Sequence, residues 1–180
     1  MDDAIARYAN QLGAGVIDPV TSLFCAIPFL ALTGLVVGAP AVWTHDQRRH
    51  LLARMLVAAL FFALCNEILL KHALGVFRVR PYIADPAIVA VGFRFTDSSF
   101  PSSHAASVAA AATILAHAHP RFAVVGVLAV LFMDFARVHN GMHYPSDVAV
   151  GTILGVAYGV LAIRLVERVA TSLKRQREVK

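Results

Sequence analysis

The chain has 180 residues, of which 58% are hydrophobic, and it carries a formal net charge of +5. Its mean hydropathy of +0.68 is too high for an ordinary soluble domain, so that class is excluded. The length allows one domain, and we predict a single integral membrane domain over residues 1–180.

The N-terminal segment, residues 1–18, precedes the first long apolar stretch. Apolar residues recur there at helical spacing, at Ile5, Tyr8, Ala9 and Leu12. This pattern predicts an amphipathic helix over residues 3–16 at the membrane interface, and it leaves open whether the segment lies flat or spans. The first residues lack the basic start and the cleavage site of a secretory signal.

The apolar stretches that follow predict five membrane helices, at roughly residues 20–43, 51–74, 103–119, 121–137 and 147–166. The first is the clearest, because residues 19–44 contain no charged residue or histidine and are long enough to cross a bilayer. We therefore expect an all-α membrane bundle. Residues 78–101 form the longest connection, which favours a functional loop.

The distribution of Lys and Arg predicts the orientation of the bundle. One end of the predicted helices carries Arg48, Arg49, Arg54, Arg121, Arg164, Arg168, Lys174, Arg175, Arg177 and Lys180. This excess predicts that the end, with a basic tail over residues 167–180, faces the cytoplasm. The opposite face receives Lys71, Arg78, Arg80, Arg94 and Arg137 against the usual bias. We expect these cations to bind an anion beside an extracytoplasmic active-site loop over residues 78–101.

Phosphate is the anion that the neighbouring residues favour. Guanidinium groups match phosphate oxygens in a fork geometry, and Arg78, Arg80 and Arg137 can supply such contacts. Pro101-Ser102-Ser103-His104 begins a predicted helix, whose backbone N–H groups and dipole favour an anion.

Two histidines and a carboxylate add the groups that phosphoryl transfer needs. His104 and His143 provide one nucleophile and one acid–base group, and a carboxylate can orient a histidine ring. Pro145 favours a loop at His143 and places Asp147 in the first turn of the fifth helix. Asp147 is also open to interpretation as a helix cap, which is the role we expect for Ser146.

Two other classes of function remain open on these residues. His139, His143 and Asp147 could form a metal site with two histidines and one carboxylate, but that site would leave the arginines unexplained. A protein that binds or transports a phosphorylated lipid without cleaving it would also place charge at membrane depth. It would have no need of two positioned imidazoles.

Three motifs resemble those of the type-2 phosphatidic acid phosphatase superfamily of membrane lipid phosphatases. They are Lys71 followed by Arg80-Pro81, then Pro101-Ser102-Ser103-His104, then Arg137 with His143 and Asp147 at the family spacing. The resemblance covers residues 71–147, and the five core helices of the family would cover nearly all the rest.

The resemblance implies a role for each matching residue. His143 would be the nucleophile that forms a phosphohistidine, and Asp147 would polarise it. His104 would protonate the leaving oxygen and then activate water. The phosphate would be held by Lys71, Arg80, Ser102, Ser103 and Arg137, with Arg78 as a further candidate. This chemistry requires no metal and no other cofactor.

The sequence departs from the family pattern at three positions. Eight residues separate Lys71 from Arg80, two more than in the family, whereas Arg78 has the usual offset but lacks the following proline. Ser103 replaces a glycine, and Ala136 replaces a serine before Arg137.

The resemblance is strongest to bacterial undecaprenyl-diphosphate phosphatases, because Asp97-Ser-Ser-Phe-Pro-Ser-Ser-His104 follows Arg78-Val-Arg-Pro-Tyr82. It implies an enzyme of the bacterial inner membrane that acts on a lipid diphosphate, with no nucleic-acid partner. Phosphatidic acid, phosphatidylglycerophosphate and lipid A remain alternative substrates, and the oligomeric state is left open. The soluble vanadium haloperoxidases of the superfamily are disfavoured by the five apolar spans.

Overall fold

The computed structural model describes residues 1–26, 44–73 and 75–178, and the described residues form helices joined by loops. The helices are α1 (Asp2–Gln11), α2 (Asp18–Ala26), α3 (His45–Phe61) with a π-helical continuation (Phe62–Ala73), α4 (Pro81–Ala84), α5 (Ser103–Ala118), a 3-10 turn (Pro120–Phe122), α6 (Ala123–His139) and α7 (Pro145–Glu178). The predicted all-α membrane bundle is confirmed.

Three of the described helices are long and apolar enough to cross a membrane: His45–Lys71, Pro120–His139 and Pro145–Gln176. They correspond to the second, fourth and fifth predicted spans. The third predicted span is α5, a helix of 16 residues, and most of the first, residues 27–43, lies outside the described residues. The chain is a multi-pass membrane protein.

Two helices extend beyond their predicted bounds for identifiable reasons. α3 begins at His45 because Thr44 forms a capping box, in which its hydroxyl accepts from Gln47 N and its own N–H donates to the Gln47 side chain. α7 continues through the predicted tail to Glu178, because the residues after 166 are mostly good helix formers without Gly or Pro.

α5 lies at the centre of the bundle and packs against α7. Its alanine-rich faces are buried, and Gly151, Gly155 and Gly159 of α7 approach its backbone directly. A Cβ atom added at Gly155 would lie 2.2 Å from the Ala106 carbonyl oxygen. Small residues four apart let two helices approach this closely, so the N-termini of α5 and α7 lie side by side. There the Ser102 N–H donates to the Asp147 carbonyl at 3.1 Å.

α1 lies over the same end of the bundle and is held by polar contacts. Arg7 pairs with Asp85, and the Asn10 side chain donates to the carbonyls of Val89 and His139 at 2.8 and 2.6 Å. Its apolar side chains Ile5, Tyr8 and Leu12 are exposed. The helix ends five residues before the predicted boundary at 16, after which Gly13 and Gly15 adopt positive φ.

The 78–101 connection is attached to the segment between α6 and α7. Tyr82 N donates to the Gly141 carbonyl and Val91 N donates to the Asn140 carbonyl, both at 3.1 Å. Gly141 has a φ of 70°, and a Cβ atom there would lie 2.9 Å from the Ile88 side chain. Only glycine fits this close approach without strain, so the loop is positioned against the predicted catalytic segment.

Candidate active site

The site residues converge because several chain segments end at the same place in the bundle. A cavity of about 210 Å³ lies there, which we call the inner cavity, and it is lined by Lys71, Arg80, Phe95, Asp97, Ser103, His104, Arg137 and His143. Six of these are sequence-predicted site residues. Phe95 and Asp97 are not, and both lie in the 78–101 connection.

His143 is 3% exposed, and its hydrogen bonds define its tautomer. Its Nδ1 lies 2.6 Å from the Ser99 carbonyl oxygen, which can only accept. Its Nε2 lies 3.3 Å from Arg80 Nη1 and 3.2 Å from Arg137 Nη2, which can only donate. The proton therefore sits on Nδ1, and the Nε2 lone pair faces the inner cavity.

The environment of His143 keeps its imidazole neutral. Burial lowers the pKa of His143 well below its ordinary value, and the charges of Arg137 and Arg80 lower it further. A neutral imidazole with an unprotonated Nε2 is the form that can attack phosphorus.

Asp147 supports this histidine from a distance rather than by a direct hydrogen bond. Its Oδ2 lies 3.9 Å from His143 Nδ1 and accepts from the Tyr144 N–H at 2.9 Å, while its Oδ1 accepts from Arg78 Nη1 at 2.6 Å. The carboxylate is fully buried. It can therefore stabilise a positive imidazole through its charge, while the Ser99 carbonyl fixes the ring.

Arg78 is placed behind Asp147, outside the lining of the inner cavity. Its guanidinium also contacts Asp2 of α1 at 2.7 Å and lies 3.8 Å from the centre of the Tyr144 ring. These contacts connect Arg78 with the predicted catalytic carboxylate and with α1.

Lys71 and Arg80 reach the inner cavity together despite their long separation in sequence. Lys71 Nζ lies 3.1 Å from Ser103 Oγ and 3.4 Å from Asp97, and Arg80 pairs with Asp97 at 2.6 Å. The π-helical segment carries Lys71, and such segments often occur at functional sites. The structure thus places both predicted cations of the first motif in one cavity.

Asp97 shares the inner cavity with the cations. Burial acts to raise the pKa of its carboxyl, but the hydrogen bond and charge of Arg80, with Lys71, lower that pKa below its ordinary value. The lining thus holds the cations Lys71, Arg80 and Arg137 against one carboxylate. This excess of cations in the lining favours a phosphate anion.

The two serines of the second motif stand at the start of α5. Ser102 is buried, and its side chain accepts from Ala105 N at 3.4 Å as the helix cap. Ser103 occupies the first helical position and lines the cavity. A helix N-terminus that opens on a cavity favours an anion there.

His104 lies between the inner cavity and a second one. Its ring is hydrogen-bonded to the backbone of Cys25. The second space, which we call the outer cavity, has a volume of about 420 Å³ and is lined by Ser22, Cys25, Val91, Gly92, Phe93, Phe95, His104, Arg137 and Asn140. Phe95, His104 and Arg137 form the shared wall.

The alternative metal site is not formed by its three proposed ligands. His139 is fully buried, and its ring nitrogens contact the Ala9 carbonyl and Asp18, both at 2.9 Å. The described part of the chain contains no group of three or more His, Cys, Asp or Glu that could hold a metal ion.

A family model described as the PAP2 superfamily matches residues 51–170, two thirds of the chain. The chain belongs to this superfamily. The matched range contains all of the predicted site residues, and the resemblance deduced from the three motifs is confirmed.

Two curated relatives and one solved structure illustrate the similarity. The chain is 38% identical over 104 residues to decaprenylphosphoryl-5-phosphoribose phosphatase of Mycobacterium tuberculosis, covering 58% of this chain and 55% of that protein. It is 32% identical over 71 residues to undecaprenyl-diphosphatase of Sulfolobus acidocaldarius, covering 39% of this chain and 34% of that protein. The matches thus span between a third and about half of these relatives.

The fold is shared with the PAP2-type phosphatidylglycerolphosphate phosphatase of Bacillus subtilis. The TM-score is 0.72 at 23% identity, with 93% of this chain and 85% of that one covered. An identity this low shows the fold alone.

Proposed function

We propose that this protein is a metal-independent lipid phosphatase that removes the terminal phosphate of undecaprenyl diphosphate through a phosphohistidine intermediate. The observation that carries the proposal is the geometry at His143, whose unprotonated Nε2 lies between two guanidinium groups in a cavity that Lys71 also lines. As phosphorus approaches Nε2, the two guanidinium groups would donate to phosphate oxygens instead of to the histidine.

Both chemical steps use groups that the inner cavity contains. In the first, the Nε2 lone pair attacks phosphorus and the bond from phosphorus to the leaving oxygen breaks. His104, which becomes protonated when the phosphate dianion binds beside it, gives its proton to that oxygen. In the second, neutral His104 takes a proton from water as the water oxygen attacks phosphorus. The phosphorus–nitrogen bond breaks, phosphate leaves, and both histidines return to their starting forms.

The surrounding groups supply the remaining stabilisation. Lys71, Arg80, Arg137 and the N-terminus of α5 hold the charge that develops on the phosphate oxygens. Asp147 stabilises the positive charge on His143, and Ser102 caps the helix that presents the binding N–H groups. We assign the phosphate-binding role to the residues lining the cavity and a positioning role to Arg78.

The proposed setting is the bacterial inner membrane, with the site on the extracytoplasmic side. The far end of α7 carries Arg164, Arg168, Lys174 and Arg175, and such an excess of cations favours the cytoplasm. The site lies at the opposite end of that helix. A lipid head group would then reach the cavity from the outer leaflet.

A phosphate monoester on a sugar-bearing lipid is the second candidate substrate. It is favoured by the identity of 38% to a relative named for a polyprenyl phosphoribose. Phosphatidic acid, phosphatidylglycerophosphate and lipid A phosphate share the same reacting group and belong in the same comparison.

The test is phosphate release by the purified protein in detergent with excess EDTA. Undecaprenyl diphosphate, phosphatidic acid, phosphatidylglycerophosphate and lipid A would be compared, with His143→Ala as the blank. We expect release that survives EDTA, disappears in the variant and is fastest with undecaprenyl diphosphate. Activity restored by a divalent ion would overturn the metal-independent mechanism. No release from any lipid, with lipid movement that survives His143→Ala, would favour a transporter.

A further inference from the structure

His139 is a buried histidine that the proposed chemistry does not use. Its side chain is fully buried, and its ring stacks on Phe135 with the ring centres 5.5 Å apart. Nδ1 lies 2.9 Å from the Ala9 carbonyl oxygen of α1, and Nε2 lies 2.9 Å from Asp18 Oδ1 of α2. One side chain of α6 therefore contacts two further helices at the end of the bundle that carries the site.

Both contacts of the His139 ring are with acceptors. A backbone carbonyl oxygen only accepts. Asp18 accepts from the Gly15 N–H through its other oxygen at 2.9 Å, and the hydrogen bond from His139 holds the pKa of its carboxyl below the ordinary value, so it is ionised. Each ring nitrogen of His139 must then donate, which gives the ring two protons and a positive charge. Ala9 lies in the last turn of α1, where the helix dipole also favours a cation.

The contact with Asp18 fixes the start of α2 against α6. Asp18 is the first residue of α2, and a hydrogen bond between two charged groups is strong and specific in its geometry. Farther along α2, the Phe24 ring packs edge-on against Phe132 of α6 with the ring centres 4.9 Å apart. That apolar contact is not directional. The pair of His139 and Asp18 therefore determines where α2 lies along α6.

α2 in turn carries the backbone acceptor for the His104 ring. Cys25 follows Asp18 by seven residues, which is about 10 Å along the helix. The hydrogen bond with the Cys25 backbone favours the protonated ring of His104, so the ring donates and the Cys25 carbonyl accepts. This bond fixes which ring nitrogen keeps its proton. The other nitrogen is left to exchange a proton with the leaving oxygen and with water.

We propose that His139 is a positioning residue for His104. As an imidazolium it holds Asp18, and α2 carries that position to the Cys25 carbonyl, which orients the His104 ring. The role rests on the acid–base function proposed for His104 above. The Ser99 carbonyl acts in the same way on His143, so a backbone carbonyl fixes the tautomer of each of the two histidines.

Two substitutions at His139 separate its contact with α2 from its contact with α1. The amide nitrogen in His139→Gln reaches the place of Nε2 and can still donate to Asp18, whereas the amide nitrogen in His139→Asn reaches the place of Nδ1 and can donate to Ala9 instead. With phosphatidic acid, we expect kcat to fall at least about tenfold in His139→Asn and to stay within about threefold in His139→Gln, because a positioned acid–base group contributes about 100- to 10,000-fold in rate. KM should change less than about twofold in both. Equal losses in the two variants, or a larger loss in His139→Gln, would overturn the proposal.

The leaving group distinguishes a misplaced His104 from a general disturbance of the site. Phosphatidic acid releases an alkoxide, which needs a proton, whereas p-nitrophenyl phosphate releases a phenolate, which does not. In His139→Asn, kcat/KM should fall at least about tenfold for phosphatidic acid and stay within about threefold for p-nitrophenyl phosphate. Equal falls on both substrates would refute the positioning role.

Asp18→Ala covers the case in which His139→Asn folds poorly, because Asp18 is partly exposed. It should reproduce the loss, and the double variant should lose no more than either single one, because both changes break one contact. Arg7→Ala is the matched control: it removes the ion pair between α1 and Asp85 and should keep kcat within about threefold. Additive losses, or an equal loss in Arg7→Ala, would contradict the proposal.

Nitrogen chemical shifts of the histidine rings test the proposal without turnover. At neutral pH, His139 should show two protonated nitrogens and His104 a single tautomer, which becomes a mixture of both tautomers in His139→Asn. A neutral His139 ring, or an unchanged His104 ring in the variant, would refute the positioning role. Failure of the proposed function is read separately, as unmodified protein that releases no phosphate from any lipid while these shifts behave as expected.

Discussion

Replacing Asp147 with asparagine tests how His143, the proposed nucleophile, is supported. The Ser99 carbonyl, 2.6 Å from Nδ1, already fixes the tautomer, so Nε2 should stay unprotonated in the variant. What it loses is a negative charge 3.9 Å from Nδ1. At an effective dielectric constant of about 20, that charge interacts with a positive imidazole by about 4 kcal/mol.

The neighbouring guanidinium reduces this figure. Arg78 lies 2.6 Å from Asp147 Oδ1 and cancels part of the field at the ring. We therefore expect a net loss of about 1.5 to 3 kcal/mol in transition-state stabilisation, which corresponds to a fall in kcat of about 10- to 200-fold. A triad whose carboxylate accepts the Nδ1 proton directly loses about 10⁴-fold on the same change, because the tautomer reverses.

The assay is steady-state phosphate release from a short-chain substrate in detergent, with kcat and KM separated. Ser146→Ala is the matched control, because Ser146 also accepts from Arg78, at 2.7 Å, but carries no charge, and it should stay within about threefold. Nitrogen chemical shifts of the His143 ring report the tautomer in the variant. A loss near 10⁴-fold with the proton moved to Nε2 would refute the role given to Ser99, and an unchanged kcat would refute the role given to the charge.

Three further predictions concern the inner cavity and the α5–α7 interface. Asp97 competes with phosphate for the same cations. Asp97→Asn should therefore lower the inhibition constant of inorganic phosphate about threefold to tenfold, and a higher inhibition constant would contradict this. The folded-state pKa of His143 lies well below the ordinary 6.5, so the unfolded chain binds the extra proton. Stability should therefore be complete above about pH 6.5 and fall by up to about 1.4 kcal/mol per pH unit below it; melting curves that match those of His143→Gln at every pH would refute this. Gly155→Ala should cost about 1 to 3 kcal/mol of stability by overpacking against Ala106, measured by melting temperature against the exposed Ile153→Ala, and equal melting temperatures would contradict it.

The convergence of the predicted residues could be deduced from the sequence, because each motif stands at the end of an apolar segment. Helix ends on one side of a membrane bundle must lie near one another. The place of Lys71 in the cavity was predicted from the resemblance alone, because the π-helical segment that carries it has the same apolar pattern as an α-helix. The end of α7 was missed because hydropathy marks where a helix leaves the membrane, whereas Lys, Arg and Glu continue the helix itself to Glu178.

The hydrogen-bond partners of His143 and Arg78 could not be predicted from the sequence, for a different reason. Every residue has a backbone carbonyl, so nothing distinguishes the carbonyl of Ser99 as the acceptor for Nδ1. Arg78 and Arg80 are two residues apart and chemically identical, yet one contacts Asp147 and the other Asp97. Only the path of the 78–101 connection separates their roles. Asp97 was overlooked because a carboxylate is not expected where an anion binds.

The glycine contacts between α5 and α7 make this pair of helices the rigid side of the site, and the side opposite to it can move. His104 and Asp147 belong to the two helices whose backbones touch at Gly155, and neither helix can shift without the other. The opposite side of the outer cavity is a loop, residues 91–95, and the first described turns of α2. A lipid that arrives sideways from the bilayer would therefore have to separate the loop from α2, while the spacing between His104 and Asp147 stays fixed.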